Sequence, residues 1–141
     1  MKKAIYIFSF LSIFLMFSLV AWSCASSDVT ALLGQEFTLP VGKTASIEDE
    51  SLSIKFVEVI SDSRCPEGVE CVWEGEAQCH LRVSVAGSPA DMVIVQPGGG
   101  ADAKDYFIQY KFVFRLEPYP QEGQQIAPTD YRLIMTVTKQ S

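Results

Sequence analysis

The feature that most constrains the fold of this chain is an alternation of large apolar and polar residues between positions 107 and 117. Successive side chains of a β-strand point to opposite faces of a sheet. The alternation therefore predicts one strand over Phe107–Glu117 with a bulky core-facing side. The residues on that side are Ile108, Tyr110, Phe112, Phe114 and Leu116, and those on the other are Gln109, Lys111 and Arg115.

Shorter segments of the chain show the same period of two, and no window shows convincing helical periodicity. Gly and Pro turn signals separate these segments at intervals of about ten residues. Seven strands of this kind favour an all-β fold, an antiparallel β-sandwich of the immunoglobulin-like type, with a small closed β-barrel as the alternative. The other six predicted strands are Glu36–Leu39, Thr44–Ile47, Leu52 to about Ile60, Cys71–Val85, Asp91–Gln96 and Asp130–Lys139. The segment Cys71–Val85 is either one long strand or a bent pair, with a possible bend at Gly75.

The N-terminal segment has the layout of a bacterial lipoprotein signal. Lys2 and Lys3 precede an uncharged run from residue 4 to residue 27, and small residues lie just before Cys24. Cleavage before Cys24 would make that cysteine the first residue, and its sulfur would carry lipid. An uncleaved membrane anchor and an ordinary secretory signal that leaves Cys24 as a free thiol are the alternatives.

The expected cleavage site sets the domain boundaries and the charge of the mature chain. We expect a signal peptide over residues 1–23, a lipidated tether over residues 24–34 and a single β-sandwich domain over residues 35–141. Removal of 23 of the 141 residues leaves 118 and changes the net charge from −6 to −8, because Lys2 and Lys3 are lost. The acidic charge of the domain bears on its partners. An acidic domain repels phosphate backbones, which argues against nucleic acid as a partner. The lipid chains would supply the membrane attachment.

The segment from Cys65 to Cys71 is the tightest cysteine spacing in the chain. In an oxidising compartment the simplest interpretation is a disulfide that closes this loop. A ring of this size contributes only about 2 to 2.5 kcal/mol, so it would fix a loop more than it would hold the fold. In the predicted strand, Cys79 lies on the same face as Cys71 and Trp73, in a row of mostly apolar side chains. This position predicts that Cys79 is a thiol buried in the core. A metal site or a redox-active thiol set using Cys65, Cys71 and Cys79 remains the alternative.

Other polar residues near this loop form weaker candidates. His80 is the only histidine, and we expect an exposed strand residue without a partner. Glu74 and Glu76 would act as acid and base of a hydrolase only if a cleft formed beside them. The run from Gly98 to Gly100 is expected to be a flexible hairpin tip rather than a phosphate cradle. Carboxylates that suggest either a calcium site or a solvated face are Asp62, Glu67, Glu70, Glu74 and Glu76.

Two short segments carry a family resemblance, namely Asp62-Ser63-Arg64-Cys65-Pro66 and the run Cys71-Val72-Trp73-Glu74-Gly75-Glu76-Ala77. This pattern resembles a motif of uncharacterised bacterial secreted proteins and lipoproteins. The later part of the chain, from Tyr119-Pro120 through Asp130-Tyr131 and the closing strand, fits the same group, so the resemblance covers most of the mature domain, although only the cysteine segment is specific. It implies a small exported β-domain with a disulfide between Cys65 and Cys71. It brings no established activity, so no catalytic residue is carried over.

These features together favour a lipid-anchored envelope protein that acts as a non-enzymatic binding module. We expect no enzyme activity, cofactor or metal, because no nucleophile–base pair, cofactor motif or metal-ligand spacing is present. Arg64 is expected to anchor the cysteine loop to nearby carboxylates, and Trp73 is expected to be structural. In many Gram-negative lipoproteins, an Asp directly after the lipid-bearing cysteine resembles an inner-membrane retention signal. This chain has Ala25 at that position, which favours the outer membrane if the cell is Gram-negative. The expected partners are the membrane, through the lipid, and a protein at the envelope.

Overall fold

The computed structural model describes residues 28–140, which form nine strands and one short 3-10 turn at Pro128–Asp130. The strands are β1 (Val29–Ala31), β2 (Glu36–Pro40), β3 (Thr44–Ile47), β4 (Leu52–Asp62), β5 (Glu76–Val85), β6 (Ser88–Pro97), β7 (Ala103–Phe107), β8 (Tyr110–Glu117) and β9 (Arg132–Lys139).

The strands form two sheets that pack face to face. One sheet has the order β1-β3-β4-β5-β6, and the other has the order β2-β9-β8-β7. All pairings are antiparallel except that of β1 with β3. The predicted all-β antiparallel sandwich is therefore confirmed, with nine strands in place of about seven, and residues 28–140 do not form the alternative closed barrel.

Alternation along the strands builds the core between the two sheets. On β8, Tyr110, Phe112, Phe114 and Leu116 are all buried, and the residues between them are partly exposed. From the opposite sheet, β4 contributes buried side chains at every second position from Leu52 to Phe56. Interdigitated aromatic and branched side chains of this kind supply most of the apolar burial that stabilises a sandwich.

The first strand corrects the predicted boundary between tether and domain. Val29–Ala31 pairs in parallel with Ala45–Ile47 at the edge of the first sheet, although these residues were assigned to the tether. Ala31 is buried, and its carbonyl accepts a hydrogen bond from the Glu48 amide at 2.8 Å. The domain therefore includes at least residues 29–31. Three residues were too few to give a recognisable period-two pattern.

The predicted strand Phe107–Glu117 is a hairpin rather than a single strand. Phe107 pairs with Tyr110, and the turn consists of Ile108 and Gln109. Ile108 has φ 55° and is 71% exposed, so it does not face the core as its position in the alternation predicted. A β-branched residue rarely adopts a positive φ. The sequence therefore carried no turn signal at this position.

Neither form predicted for Cys71–Val85, one long strand or a bent pair of strands, is found at its start, because β5 begins only at Glu76. Gly75 has φ 71°, and a Cβ atom at this position would collide with the Ser63 carbonyl oxygen. The residues from Cys71 to Glu74 therefore belong to the β4–β5 connection. This connection lies at one end of the sandwich together with the β6–β7 and β8–β9 connections. We call this end, formed by residues 63–75, 98–102 and 118–131, the disulfide end.

Candidate functional site

A disulfide joins Cys65 to Cys71 and closes a ring at the surface of the disulfide end. The two Cα atoms are 6.0 Å apart, within the range that disulfides require. The predicted disulfide is thus confirmed. The ring residues from Glu67 to Cys71 are exposed, so the ring lies on the outside of the sandwich and not between its sheets.

Arg64 lies directly before the ring and is buried, with 3% of its surface exposed. Its guanidinium donates two hydrogen bonds to the Asp62 carboxylate, at 2.9 Å from Nε and 2.7 Å from Nη2. It also donates to the carbonyl oxygens of Leu116 and Pro118 at 2.8 and 3.1 Å. The Tyr119 ring packs against the cation with its centroid 5.1 Å from Cζ. Arg64 therefore joins the base of the ring to the β8–β9 connection.

Asp62 and Tyr131 complete this buried network. The Tyr131 hydroxyl donates a hydrogen bond to Asp62 Oδ2 at 3.0 Å. Burial alone raises the pKa of Asp62, but the hydrogen bonds and positive charge of Arg64 outweigh it, so the pKa of this carboxyl is lowered. Burial and the neighbouring Asp62 charge raise the pKa of Tyr131 to about 12. At neutral pH the network thus holds a charged pair and a neutral phenol.

Backbone hydrogen bonds hold the ring from two sides. The Cys65 amide donates to the Glu74 carbonyl at 2.8 Å, and the Glu67 amide donates to the Pro120 carbonyl at 2.9 Å. The Gly98 amide donates to the Gly75 carbonyl at 2.9 Å. Gly98 is buried, and a Cβ atom there would collide with the Glu74 carbonyl. The expectation of a free hairpin tip is therefore wrong at Gly98, because the two backbones approach too closely for a side chain.

Apolar side chains project from this braced loop into solvent. Val72 is fully exposed at 109%, Trp73 is 67% exposed and Val69 is 40% exposed. The assignment of Trp73 to the core-facing row was wrong, because residues 71–74 do not continue β5. We call Val69, Val72 and Trp73 the apolar tip. The sequence did not predict that these three side chains are exposed, because apolar residues next to a strand are more often buried.

A groove of about 380 Å³ lies beside the ring, between the β4–β5 and β6–β7 connections. Glu67 and Glu74 contribute carboxylates to it, but Glu76 does not line it and instead accepts a hydrogen bond from Gln78 at 3.0 Å. The structure therefore does not place Glu74 and Glu76 on one groove as a hydrolase would need. The lining residues are Cys65, Pro66, Glu67, Gly68, Val69, Cys71, Glu74, Gly99, Gly100 and Tyr119.

The structure does not bring the three predicted thiols together. Cys65 and Cys71 are bonded to each other, and Cys79 is a free cysteine with no exposed surface. Burial raises the pKa of the Cys79 thiol to about 12, which suppresses the reactive thiolate. The prediction of a buried core thiol is confirmed. A shared site of all three sulfur atoms is not formed in this oxidised state.

His80 has partners, contrary to the expectation of an isolated exposed side chain. Its Nε2 lies 3.0 Å from Asp91 Oδ1, and its Nδ1 lies 3.9 Å from Glu58 Oε1. Arg82 also binds Asp91, at 3.0 Å. These contacts join three neighbouring strands on the outer face of the first sheet. His80 is not among the residues that line the groove beside the ring.

The carboxylates near the cysteine loop do not converge. Asp62 is paired with the buried Arg64, whereas Glu67 accepts a hydrogen bond from Gln121 at 2.8 Å. Between residues 28 and 140, no group of three or more His, Cys, Asp or Glu side chains is placed to hold a metal ion. The same part of the chain contains no helix that is long and apolar enough to cross a membrane. Cys24 and the expected signal peptide lie outside the described residues.

Sequence reasoning included Tyr119 in the family resemblance but gave it no role, whereas it packs on Arg64 and also accepts a hydrogen bond from the Gly99 amide at 3.0 Å. No local pattern could have found these contacts, because the partners of Tyr119 are distant in sequence and the residue lies in a proline-rich connection.

Comparison of the chain with known protein families, with curated proteins and with solved structures found no match.

Proposed function

We propose that this chain is a lipid-anchored protein of the bacterial cell envelope that acts as a non-enzymatic binding module. The observation that carries the proposal is the apolar tip. Val72 and Trp73 are solvated although the backbone beneath them is fixed by a disulfide, by a buried Arg64 and by hydrogen bonds to two other connections. A rigid loop that presents tryptophan to solvent is suited to binding, since ordering it on contact costs little entropy.

The lipid anchor explains why such a tip would work close to a membrane. Three residues separate Cys24 from Asp28, the first described residue. Four chain steps of at most about 3.5 Å each give a reach of about 14 Å. With β1 already part of the sheet, a lipid on Cys24 would hold the domain near the bilayer surface. The contact surface would then meet other components of the envelope.

The groove beside the ring supports binding over catalysis. Its two carboxylates, Glu67 and Glu74, are both exposed, and the single histidine of the chain lies on another face. Proton transfer needs a second catalytic group within hydrogen-bond reach, and the Glu67 carboxylate instead accepts a hydrogen bond from the Gln121 amide at 2.8 Å.

The anchor is tested by the intact mass of the protein extracted from its native membrane. Samples are alkylated under denaturing conditions, with and without prior reduction. We expect a chain that begins at a lipidated Cys24 and takes one alkyl group, on Cys79, before reduction and three after it. An unlipidated mass would contradict the anchor, and three alkyl groups before reduction would favour a thiol-based function.

The binding surface is tested by photo-cross-linking in cells that express the full chain. A photoreactive amino acid replaces Val72 in one variant and Lys104, an exposed residue of β7, in the control. We expect one discrete protein adduct from position 72 and none from position 104. Trp73→Ala in the first variant should weaken the adduct by about 30-fold, the effect of losing one dominant contact. Equal adducts from both positions, or none, would contradict the proposal.

A further inference from the structure

The connections of the disulfide end carry an unbalanced negative charge. Residues 63–75, 98–102 and 118–131 contain six carboxylates and a single basic residue, Arg64. Hydrogen bonds between the connections hold them together, as in the pairs Glu67–Pro120 and Gly98–Gly75. The connections that carry these carboxylates therefore meet at one end of the sandwich. The carboxylates are Glu67, Glu70, Glu74, Asp102, Glu122 and Asp130.

Arg64 does not neutralise this end of the sandwich, because it is buried and paired with Asp62 beneath the ring. Among residues 28–140, Asp102 is the only one of the six carboxylates within 4 Å of a basic group, Arg115 at 3.7 Å. Glu67, Glu70 and Glu74 are exposed and form no ion pair in this part of the chain. Unpaired like charges on a rigid loop repel one another, and a partner of opposite charge would relieve this repulsion.

The three unpaired glutamates alternate along the chain with the residues of the apolar tip. Glu74 directly follows Trp73, Glu70 precedes Val72 by two positions, and the Glu74 carboxylate lies against Gly99 across the groove. An apolar centre with a charged rim is the usual anatomy of a specific protein interface. From this arrangement we infer that the tip binds a protein whose surface has an apolar pocket rimmed by Lys and Arg side chains. This inference rests on the proposed function and adds the chemistry of the partner.

The same charges argue against the bilayer as the surface that receives the tip. Insertion of Trp73 among lipid headgroups would bring Glu70 and Glu74 to the same depth, where anionic lipids repel them and burial desolvates them. A protein pocket can instead place a cation beside each carboxylate. Complementary rim charges mainly accelerate association, by a factor of ten or more.

Trp73 gives a direct signal for the test, because cleavage before Cys24 removes Trp22, the only other tryptophan. The protein that cross-links to position 72 is purified and titrated into the mature lipoprotein in detergent, and the Trp73 emission is recorded. The loop-neutral variant carries Glu67→Gln, Glu70→Gln and Glu74→Gln. The control carries Asp28→Asn, Glu48→Gln and Asp49→Asn, three exposed residues outside the disulfide end with the same change in net charge.

We expect the partner to shift the Trp73 emission to the blue and its association rate to fall by about tenfold in the loop-neutral variant. The control should associate at the rate of the parent, and raising salt from about 0.05 to about 0.5 M should slow the parent more than the loop-neutral variant. Equal association rates for all three proteins would overturn the inference about the partner's charge but would leave the proposed binding module in place. A blue shift with phosphatidylcholine vesicles alone would also overturn it, in favour of a membrane surface. Absence of any cross-linked protein would contradict the proposed function itself.

Discussion

Arg64 shows how one side chain connects the sequence motif to the tertiary structure. The motif places it two residues after Asp62 and one before the ring, and in the structure the guanidinium binds the Asp62 carboxylate. Its other two acceptors, the carbonyls of Leu116 and Pro118, are 52 and 54 residues away. Sequence reasoning identified Arg64 as an anchor to nearby carboxylates, but it named no single partner and could not show that the cation would be buried.

We predict that Arg64→Ala lowers the free energy of unfolding by about 3 kcal/mol, because it leaves the Asp62 charge and two carbonyls without their buried partner. The matched control is Arg82→Ala, which removes an arginine from the exposed pair with Asp91. Its urea midpoint should stay close to that of the parent, since exposed pairs contribute little. Equal effects of the two substitutions would contradict the structural role assigned to Arg64.

At the level of elements, the β7–β8 hairpin shows where periodicity misleads. The alternation from Ile108 to Leu116 is unbroken, yet the chain reverses direction at Ile108 and Gln109. The pattern was right about the burial of Tyr110, Phe112, Phe114 and Leu116, because those residues do lie on one face of β8. It was wrong at Ile108, whose positive φ is imposed by pairing with β7 and not by its own preference.

We predict that Ile108→Asn raises the free energy of unfolding by about 1 kcal/mol, because asparagine tolerates a positive φ better than a β-branched residue. The melting temperature should rise by about 4 °C. Gln109→Asn, at the neighbouring turn position without a positive φ, serves as the control and should give no increase. A loss of stability in Ile108→Asn would instead indicate that the contacts of the Ile108 side chain stabilise the fold by more than its positive φ costs.

The disulfide ring is an element added to the sandwich and not part of its core. We predict that Cys65→Ser combined with Cys71→Ser lowers the free energy of unfolding by about 2 kcal/mol, as chain entropy suggests for a ring this short. The far-ultraviolet circular dichroism should not change, because both sheets lie outside the ring. Reduced parent protein should match the double variant. Loss of cooperative unfolding would show that the ring supports the whole fold.

For the whole molecule, the distribution of charge matters more than its total. The acidic excess of the chain is concentrated in exposed carboxylates, whereas Asp62 is nearly buried and paired. A carboxyl group whose pKa is lowered by folding stabilises the folded state above its ordinary pKa, here 3.8. That contribution is lost as the pH falls through the lower pKa of the folded state.

We predict that acid destabilisation of the parent depends strongly on Asp62. Asp62→Asn should be less stable than the parent at neutral pH, and its stability should fall less between about pH 6 and about pH 2. Urea unfolding across this range measures the difference. Asp28→Asn, which alters an exposed carboxylate outside the network, should keep the acid profile of the parent. Parallel acid profiles for Asp62→Asn and the parent would show that Asp62 is not the group responsible.

The sequence by itself determined the all-β sandwich, most of its strands, the Cys65–Cys71 disulfide and the burial of Cys79. Each of these follows from local periodicity or from the short spacing of two cysteines. Only the tertiary structure decided the reversal at Ile108, the burial of Arg64 and the exposure of Trp73. These depend on which strands pair and on the close approach of Gly75 and Gly98 to neighbouring backbone, where a side chain cannot fit. Contacts between residues dozens of positions apart leave no period in the chain, so no local pattern encodes them.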